Sequence, residues 1–263
     1  MTVSPSTLVN GISACVVMFI GGSMGVQFLV RYFREKKGLM PFASFTGFTL
    51  VGLYLGPFAT FWSLMFTGSN ISFILYGQLS YAITPIAIMN AMWLGFTIFS
   101  PDKRKLALYI YLATAVPYYI LLFGFPVFMF VQNTSCGSVS SEDCLSALNG
   151  TGQMADISLT SGLLALNAFY ILSVILILTW GFYNLRQKIS GEEQKRVTFL
   201  MLGFLFFGIA AMMENTLGAF GDIAKIVARV VMATCAVLNY MGFSYKLSRK
   251  EKIIREISKI QVE

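Results

Sequence analysis

Long apolar segments alternate with short polar ones along the whole chain. Seven of these segments predict membrane-spanning helices, at about residues 8–30, 41–66, 72–99, 106–131, 157–183, 197–217 and 223–245. Each holds at least the ~20 residues that an α-helix needs to cross the hydrocarbon layer of a bilayer. Helices are expected rather than strands because, in lipid, a helix satisfies its own backbone hydrogen bonds. The pattern therefore predicts an all-α membrane protein, a seven-transmembrane-helix bundle in residues 1–247.

Positive charges give this bundle an orientation. All but two of the nineteen Lys and Arg residues, Lys225 and Arg229, lie in four clusters. The clusters are residues 31–37, 103–105, 186–196 and 246–259. Cationic loops stay on the cytoplasmic side during insertion. We therefore expect a multi-pass protein of the cell membrane with its N-terminus outside and its C-terminus in the cytoplasm.

Composition agrees with a membrane protein. The chain is 56% hydrophobic and 12% charged, whereas a soluble domain carries about 25% charged residues. In a soluble protein the net charge of +7 would suggest nucleic acid as a partner. Here the basic residues lie where the topology requires them, so we assign them to topology and to anionic lipid head groups of the bilayer.

Several function classes are excluded by residues that the sequence lacks. It has no histidine, which excludes histidine-ligated haem and any Ser-His mechanism. It has no Gly-rich phosphate loop and no Cys pair at metal-ligand spacing. The last span has no central Lys for retinal, and the spans lack the motifs of G-protein-coupled receptors. We expect neither an enzyme nor a bound cofactor or metal.

Two cysteines lie in the polar segment after the fourth span. Cys136 and Cys144 would both be outside the cell, where disulfides persist, so we predict a bond between them. Such a bond would clip a polar loop, or would form a rigid rim above a ligand entrance.

Charged residues at one end of the last two spans form the strongest candidate site. Asp222, Lys225 and Arg229 are spaced three and four apart, which places them on one face of a helix. Arg229 lies roughly 10 Å below Asp222, at 1.5 Å per residue. An Arg within a span is rare and usually faces the bundle interior with a partner. Glu214, near the end of the preceding span, is the predicted partner, either in a structural ion pair or in an outward-facing pocket.

Uncharged polar residues within the spans extend this candidate site. Gln78 and Tyr81 are three apart on the third span, and Asn167 lies on the fifth. Such residues form interhelical hydrogen bonds in membrane proteins, or they contact a ligand. The predicted ligand-binding set is Arg229, Glu214, Lys225, Gln78, Tyr81 and Asn167. Prolines inside the spans, such as Pro57 and Pro85, permit kinks and cavities.

The C-terminal segment 248–263 is charged and carries a stripe of isoleucines, Ile253, Ile254, Ile257 and Ile260. The stripe predicts an amphipathic helix. It would lie on the cytoplasmic leaflet, or it would dock a cytoplasmic signalling protein or a second copy of the chain.

The layout resembles the seven-helix membrane sensor region of histidine kinases and related prokaryotic signalling proteins. The similarity rests on a first span that ends in the basic run Arg31-Tyr-Phe-Arg34-Glu-Lys-Lys37 and on a seventh span that leads directly into a charged helix. It implies an outward-facing sensor, and it assigns no site residue. No output domain follows Glu263, so the output is expected to come from a separate protein.

Three functional hypotheses remain. The first is a receptor-like sensor that binds a small extracellular ligand and signals through a separate cytoplasmic partner. The second is a transporter or channel for a small solute or an ion. The third is a structural subunit of a membrane assembly.

Overall fold

The computed structural model describes residues 3–36, 39–131, 140–155, 157–217 and 222–244. Cys136 and the segment 248–263 lie outside these ranges. The α-helices of the described residues are α1 (Pro5–Glu35), α2 (Met40–Leu53), α3 (Leu55–Thr67), α4 (Phe73–Tyr81), α5 (Thr84–Phe99), α6 (Arg104–Gly124), α7 (Ser141–Leu148), α8 (Ser161–Ser173), α9 (Trp180–Gln187), α10 (Gly191–Leu217) and α11 (Asp222–Ser244). A π-helical segment, Val174–Thr179, joins α8 to α9. Short 3-10 turns cover Pro101–Lys103 and Pro126–Phe128, and the strands are β1 (Met129–Val131) and β2 (Ile157–Leu159).

The long helices are membrane-spanning in length and composition. Six are long and apolar enough to cross a bilayer, and the bent pair α2–α3 makes up to seven among the described residues. Large apolar side chains cover the outer surface of the bundle; Phe19 and Phe66, for example, are 76% and 80% exposed. The protein is therefore a multi-pass, predominantly helical membrane bundle, as the sequence predicts.

The helices form a closed ring in which each span packs on the next along the chain. α1 packs on α2, α5 packs on α2 and α6, and α6 packs on α8. α10 packs on α9 and most extensively on α11, and α11 closes the ring against α1. The first and last spans are therefore neighbours, which brings residues about 220 positions apart into contact.

The close approach of α1 and α2 depends on glycine. A Cβ atom added at Gly47 would stand 2.6 Å from the carbonyl oxygen of Gly21 and 2.8 Å from the Cα of Gly25. The hydroxyl of Ser44 also donates a hydrogen bond of 2.7 Å to the carbonyl of Gly25. Small residues allow two helix backbones to approach closely in a membrane, and this pair shows that arrangement.

Two of the predicted spans are broken at their middle. The second span bends by 42° between α2 and α3, close to Pro57, which has no N–H to donate to Leu53. The third span is interrupted between α4 and α5, where Pro85 cannot donate to the carbonyl of Tyr81. That carbonyl instead accepts a hydrogen bond from the Tyr118 hydroxyl of α6, at 3.2 Å. The adjacent carbonyl of Ala82 accepts from the Tyr119 hydroxyl at 2.8 Å.

The predicted ends of the fourth and fifth spans require correction. α6 ends at Gly124 instead of continuing to Val131, because the Gly124-Phe-Pro126 sequence stops the helix. Residues 129–131 and 157–159 instead pair as antiparallel strands, with Phe130 opposite Ser158. The bundle therefore carries a small two-stranded sheet at one end and is not entirely helical.

The two ends of the bundle differ in charge. At one end, called here the basic end, Arg31 and Arg196 reach the last turn of α11, where they donate hydrogen bonds to the carbonyls of Ser244 and Gly242 at 3.5 and 3.2 Å. The other end, the loop end, holds residues 140–155 and 157–159. There the Thr7 hydroxyl of α1 donates a hydrogen bond to the carbonyl of Gly152 and accepts one from the N–H of Met154. Asn70 also fastens this loop, accepting from the Ala155 N–H at 2.9 Å.

Candidate functional site

A cavity of about 110 Å³ lies inside the ring of helices, next to the loop end. Its wall includes residues from both broken spans, from β2 and from α8, α10 and α11. The lining residues are Leu53, Tyr54, Pro57, Tyr76, Ser80, Tyr81, Thr84, Ile88, Ile157, Ser158, Asn167, Ile171, Phe207, Ala211, Glu214, Lys225, Arg229 and Met232. Five of the six predicted ligand-binding residues are among them.

Arg229 is the most deeply buried charge of the site, with 6% of its surface exposed. Its Nε donates to the Glu214 carboxylate at 3.3 Å, which is the ion pair predicted from the sequence. Its Nη1 donates to the backbone carbonyl of Asn10 and to the hydroxyl of Ser13, at 2.6 Å for Ser13. The guanidinium therefore joins α11 to α10 and α1, and its donors are directed at partners, as a buried charge requires.

Tyr54 completes the surroundings of this ion pair. Its hydroxyl donates a 2.7 Å hydrogen bond to the same oxygen of Glu214 that faces Arg229. The Arg229 guanidinium lies 5.4 Å from the centre of the Tyr54 ring, within the range of a cation–π contact. Tyr54 is 2% exposed, so its aromatic ring is held by packing beside the charged pair.

The charges on the described residues that line the cavity sum to +1. Lys225 and Arg229 are one helical turn apart on α11, and Glu214 on α10 is the acidic member. The Glu214 side chain retains 29% exposure, whereas Arg229 retains 7%. Solvent therefore reaches the carboxylate, and the excess positive charge lies in the part of the cavity near Lys225.

Uncharged polar groups line the opposite wall. The Tyr81 hydroxyl donates to the carbonyl of Ile157 at 3.2 Å and so holds β2 against α4. Asn167 of α8 is 3% exposed and faces the cavity. The Ser80 hydroxyl is buried and has no hydrogen-bond partner among the described residues. This wall can offer both donors and acceptors to a bound molecule.

Gln78 is the predicted site residue that the structure does not place at the cavity. It lies on α4 and is half-buried. The lining arc of the third span runs through Tyr76, Ser80 and Thr84, with Tyr81 at its edge. Residues three apart on a helix are rotated by about 300°, which is about 60° short of a full turn. Gln78 is therefore rotated about 60° from Tyr81, on the side away from the other lining residues.

Sequence reasoning missed three partners of Arg229: Tyr54, Asn10 and Ser13. Tyr54 precedes Gly56 and Pro57 in the middle of an apolar run, and that Gly-Pro pair indicates a helix break at which a polar group can face inward. Asn10 and Ser13 contact Arg229 only because the first and last spans are neighbours in the ring. No local pattern indicates that contact.

The described residues do not test the predicted disulfide. Cys144 lies on α7 and is 1% exposed, but Cys136 is outside the described ranges, so their pairing stays a prediction. Cys15 and Cys235 are free thiols within spans. Within the ranges that the structure describes, no three His, Cys, Asp or Glu side chains are grouped so that they could hold a metal ion.

Comparison of the chain with protein-family models, with curated proteins and with solved structures finds no match. The function must therefore be argued from the cavity and its residues.

Proposed function

We propose that the protein is a receptor-like sensor that binds a small anion from outside the cell and signals through a separate cytoplasmic partner. The observation that carries this proposal is the cavity inside the bundle, whose described lining residues include two cations and one carboxylate. A purely structural ion pair would require Arg229 and Glu214 in contact, but it would require neither a cavity beside them nor a second cation one turn away.

The charge and size of the cavity define the ligand class. An excess charge of +1 inside a membrane bundle favours a monovalent anion, because Coulomb attraction is strong where the effective dielectric is low. A volume of about 110 Å³ is several times the roughly 10–15 Å³ that one water molecule needs in a cavity. A short carboxylate fits both properties. Lys225 and Arg229 would face its charged group, and Asn167 and Ser80 would complete its hydrogen bonds.

The route to the cytoplasm is helix α11. It carries Lys225 and Arg229 at the cavity, and its last turn at the basic end is held by Arg31 and Arg196. A ligand that draws Arg229 away from Glu214 would shift α11 relative to α10 and α1. Residues 248–263 follow α11 in the chain, and we propose that they pass this shift to a cytoplasmic protein. The resemblance to sensor regions of histidine kinases supports the same direction of signalling.

Ligand-dependent thermal unfolding tests the proposal. Purified protein in lipid nanodiscs is titrated with formate, acetate, propionate and lactate, and each acid is matched with its neutral amide. At a concentration 100 times its Kd, a ligand contributes about 2.7 kcal/mol to stability. On the scale of 2–4 °C per kcal/mol for chains of this size, Tm should rise by about 5–10 °C. The amides should have no effect.

Two variants make this test specific. Lys225→Met removes a cavity cation and should abolish the rise in Tm. Lys103→Met removes an exposed cation at the basic end and should leave the rise intact. If no acid raises Tm more than its amide, or if Lys225→Met retains the full effect, the anion-sensor proposal is wrong.

Transport is a second candidate because one further observation favours it. A smaller chamber adjoins the cavity, and Ile88 and Phe207 line both. In a transporter these two side chains would separate an outer from an inner compartment. Liposomes loaded with a fluorescent pH dye and exposed to a gradient of the same acids distinguish the two functions. Protein-dependent flux that Phe207→Ala accelerates would support transport, and binding without flux would support the sensor.

A further inference from the structure

Three asparagines of the chain belong to the acceptor motif for N-linked glycosylation, Asn-x-Ser/Thr. They are Asn70, Asn133 and Asn149. All three lie between predicted spans, on the side that the predicted topology places outside the cell. Asn133 lies outside the described residues, but the structure distinguishes the other two, because their side chains differ in exposure and in hydrogen bonding.

Asn149 is exposed at the loop end, directly after α7. Its Oδ1 accepts hydrogen bonds from the backbone N–H and the side-chain amide of Asn70, at 2.9 and 3.5 Å. Its Nδ2 donates no hydrogen bond to the residues that the structure describes. N-linked glycosylation replaces one hydrogen of Nδ2 and leaves Oδ1 as an acceptor. A modified Asn149 would therefore keep the contacts that it makes.

The rest of this motif is also at the surface. Gly150 and Thr151 are both exposed, and Gly150 turns the chain with a φ of 82°. The Thr151 hydroxyl donates to the carbonyl of Leu148 at 2.7 Å, so the turn is held without the Nδ2 atom of Asn149. A bulky sugar suits a surface position of this kind.

Asn70 carries the same motif in surroundings that leave no place for a sugar. The residue is 8% exposed. Its Nδ2 donates to the carbonyl of Gln153 at 3.1 Å, and its Oδ1 accepts from the N–H of Ala155 at 2.9 Å. A sugar on this Nδ2 would occupy the space that residues 153–155 fill. A chain modified at Asn70 could not close the loop end in the observed way.

From these observations we infer that Asn149, and not Asn70, carries an N-linked glycan on the outer side of the membrane. The donor would be a sugar chain joined through pyrophosphate to a membrane lipid. A bond forms between Nδ2 and C1 of the first sugar, and the bond from C1 to the pyrophosphate oxygen breaks. The lipid pyrophosphate leaves, and Nδ2 gives up one proton. The inference requires the predicted orientation of the bundle, but it does not depend on the proposed sensor function.

Site-resolved mass spectrometry of full-length protein purified from native membranes tests this inference. Cleavage after acidic residues separates the peptide of Asn149 from that of Asn133, and cleavage after aromatic residues isolates the peptide of Asn70. The peptide of Asn149 should carry the added mass of a sugar chain, and the peptide of Asn70 should have its unmodified mass. An unmodified Asn149, or a sugar chain on Asn70, would overturn the inference.

Two substitutions at Thr151 show whether the motif directs the modification. Thr151→Val removes the motif but keeps the Asn149 side chain, so the sugar mass should be lost from this peptide. Thr151→Ser is the matched control, because it keeps both the motif and the hydroxyl, and the sugar mass should remain. Thermal unfolding verifies that both variants are folded. A sugar chain that persists on Asn149 in Thr151→Val would contradict motif-directed glycosylation.

Discussion

Removal of the Glu214 carboxylate should destabilise the bundle far more than removal of an exposed carboxylate. In Glu214→Ala, Arg229 keeps its bonds to Asn10 and Ser13 but loses the acidic group that neutralises it. The Tyr54 hydroxyl, buried beneath, loses its acceptor as well. The substitution therefore leaves a charge and a donor inside the bundle without the group that both of them face.

The burial of the two partners sets the magnitude. Breaking a fully buried ion pair by removing one partner costs about 3–5 kcal/mol. The Glu214 side chain keeps 29% exposure, so water replaces part of its contact, and we expect about 2–3 kcal/mol. This loss corresponds to a fall in Tm of about 5–10 °C for a chain of this size.

The matched control is Glu192→Ala. Glu192 accepts from Lys195 at 3.2 Å within α10, but that lysine is 62% exposed. Exposed pairs contribute about 0.2–1 kcal/mol, so the Tm of this variant should fall by at most about 2–4 °C on the same scale.

A double-mutant cycle with Arg229→Met identifies the source of the loss. Once the buried charge is absent, Glu214→Ala no longer leaves a cation without its counter-charge, so the double variant should be more stable than the sum of the single effects. Thermal unfolding in nanodiscs, followed by intrinsic fluorescence, measures all four proteins. The reasoning fails if Glu214→Ala matches Glu192→Ala, or if the two site substitutions are simply additive.

Two further predictions concern the packing of α1 and the C-terminal segment. Gly47→Ala should destabilise the protein by about 1–3 kcal/mol, because the new methyl group meets the backbone of α1. Gly124→Ala is the control, since nothing lies within 4 Å of its added Cβ. Equal effects of the two substitutions on Tm would contradict the close approach of α1 and α2. In a cross-linked pull-down from native membranes, full-length protein should recover a soluble partner, and a chain truncated after Lys246 should not. Recovery of the partner by both forms would rule out the tail as the docking element.

The long helices could be predicted because segment length and apolarity are properties of the sequence itself. The ion pair was also predictable, since a short connection brings the ends of the last two spans together and only one acidic residue lies near Arg229 on the preceding span. The strands β1 and β2 were missed because residues 129–131 and 157–159 are apolar and continuous with helical segments. Apolarity alone does not distinguish a helix end from a strand.

The remaining parts of the site depend on tertiary structure. Asn10 and Ser13 reach Arg229 because α1 closes the ring against α11, and no local sequence pattern encodes that closure. Gln78 was grouped with Tyr81 because residues three apart share a helical face, but the cavity covers only part of that face. Periodicity identifies the inward side of a helix, whereas the width of a cavity depends on how far the neighbouring helices stand apart.

Both helix breaks border the cavity, and this coincidence explains how the bundle keeps a charged pocket. Tyr54 lies at the bend between α2 and α3, and Tyr81 and Thr84 lie on either side of the break between α4 and α5. A bent backbone separates neighbouring helices and leaves volume between them, but it also frees carbonyl groups that lipid cannot satisfy. The hydroxyls of Tyr118 and Tyr119 bind the carbonyls at the second break. None of the lining residues belongs to α6, so this helix supports the cavity without touching what it would bind. The cavity is therefore a consequence of backbone geometry, and neutral substitution of its charged residues should change what it binds while leaving the space in place.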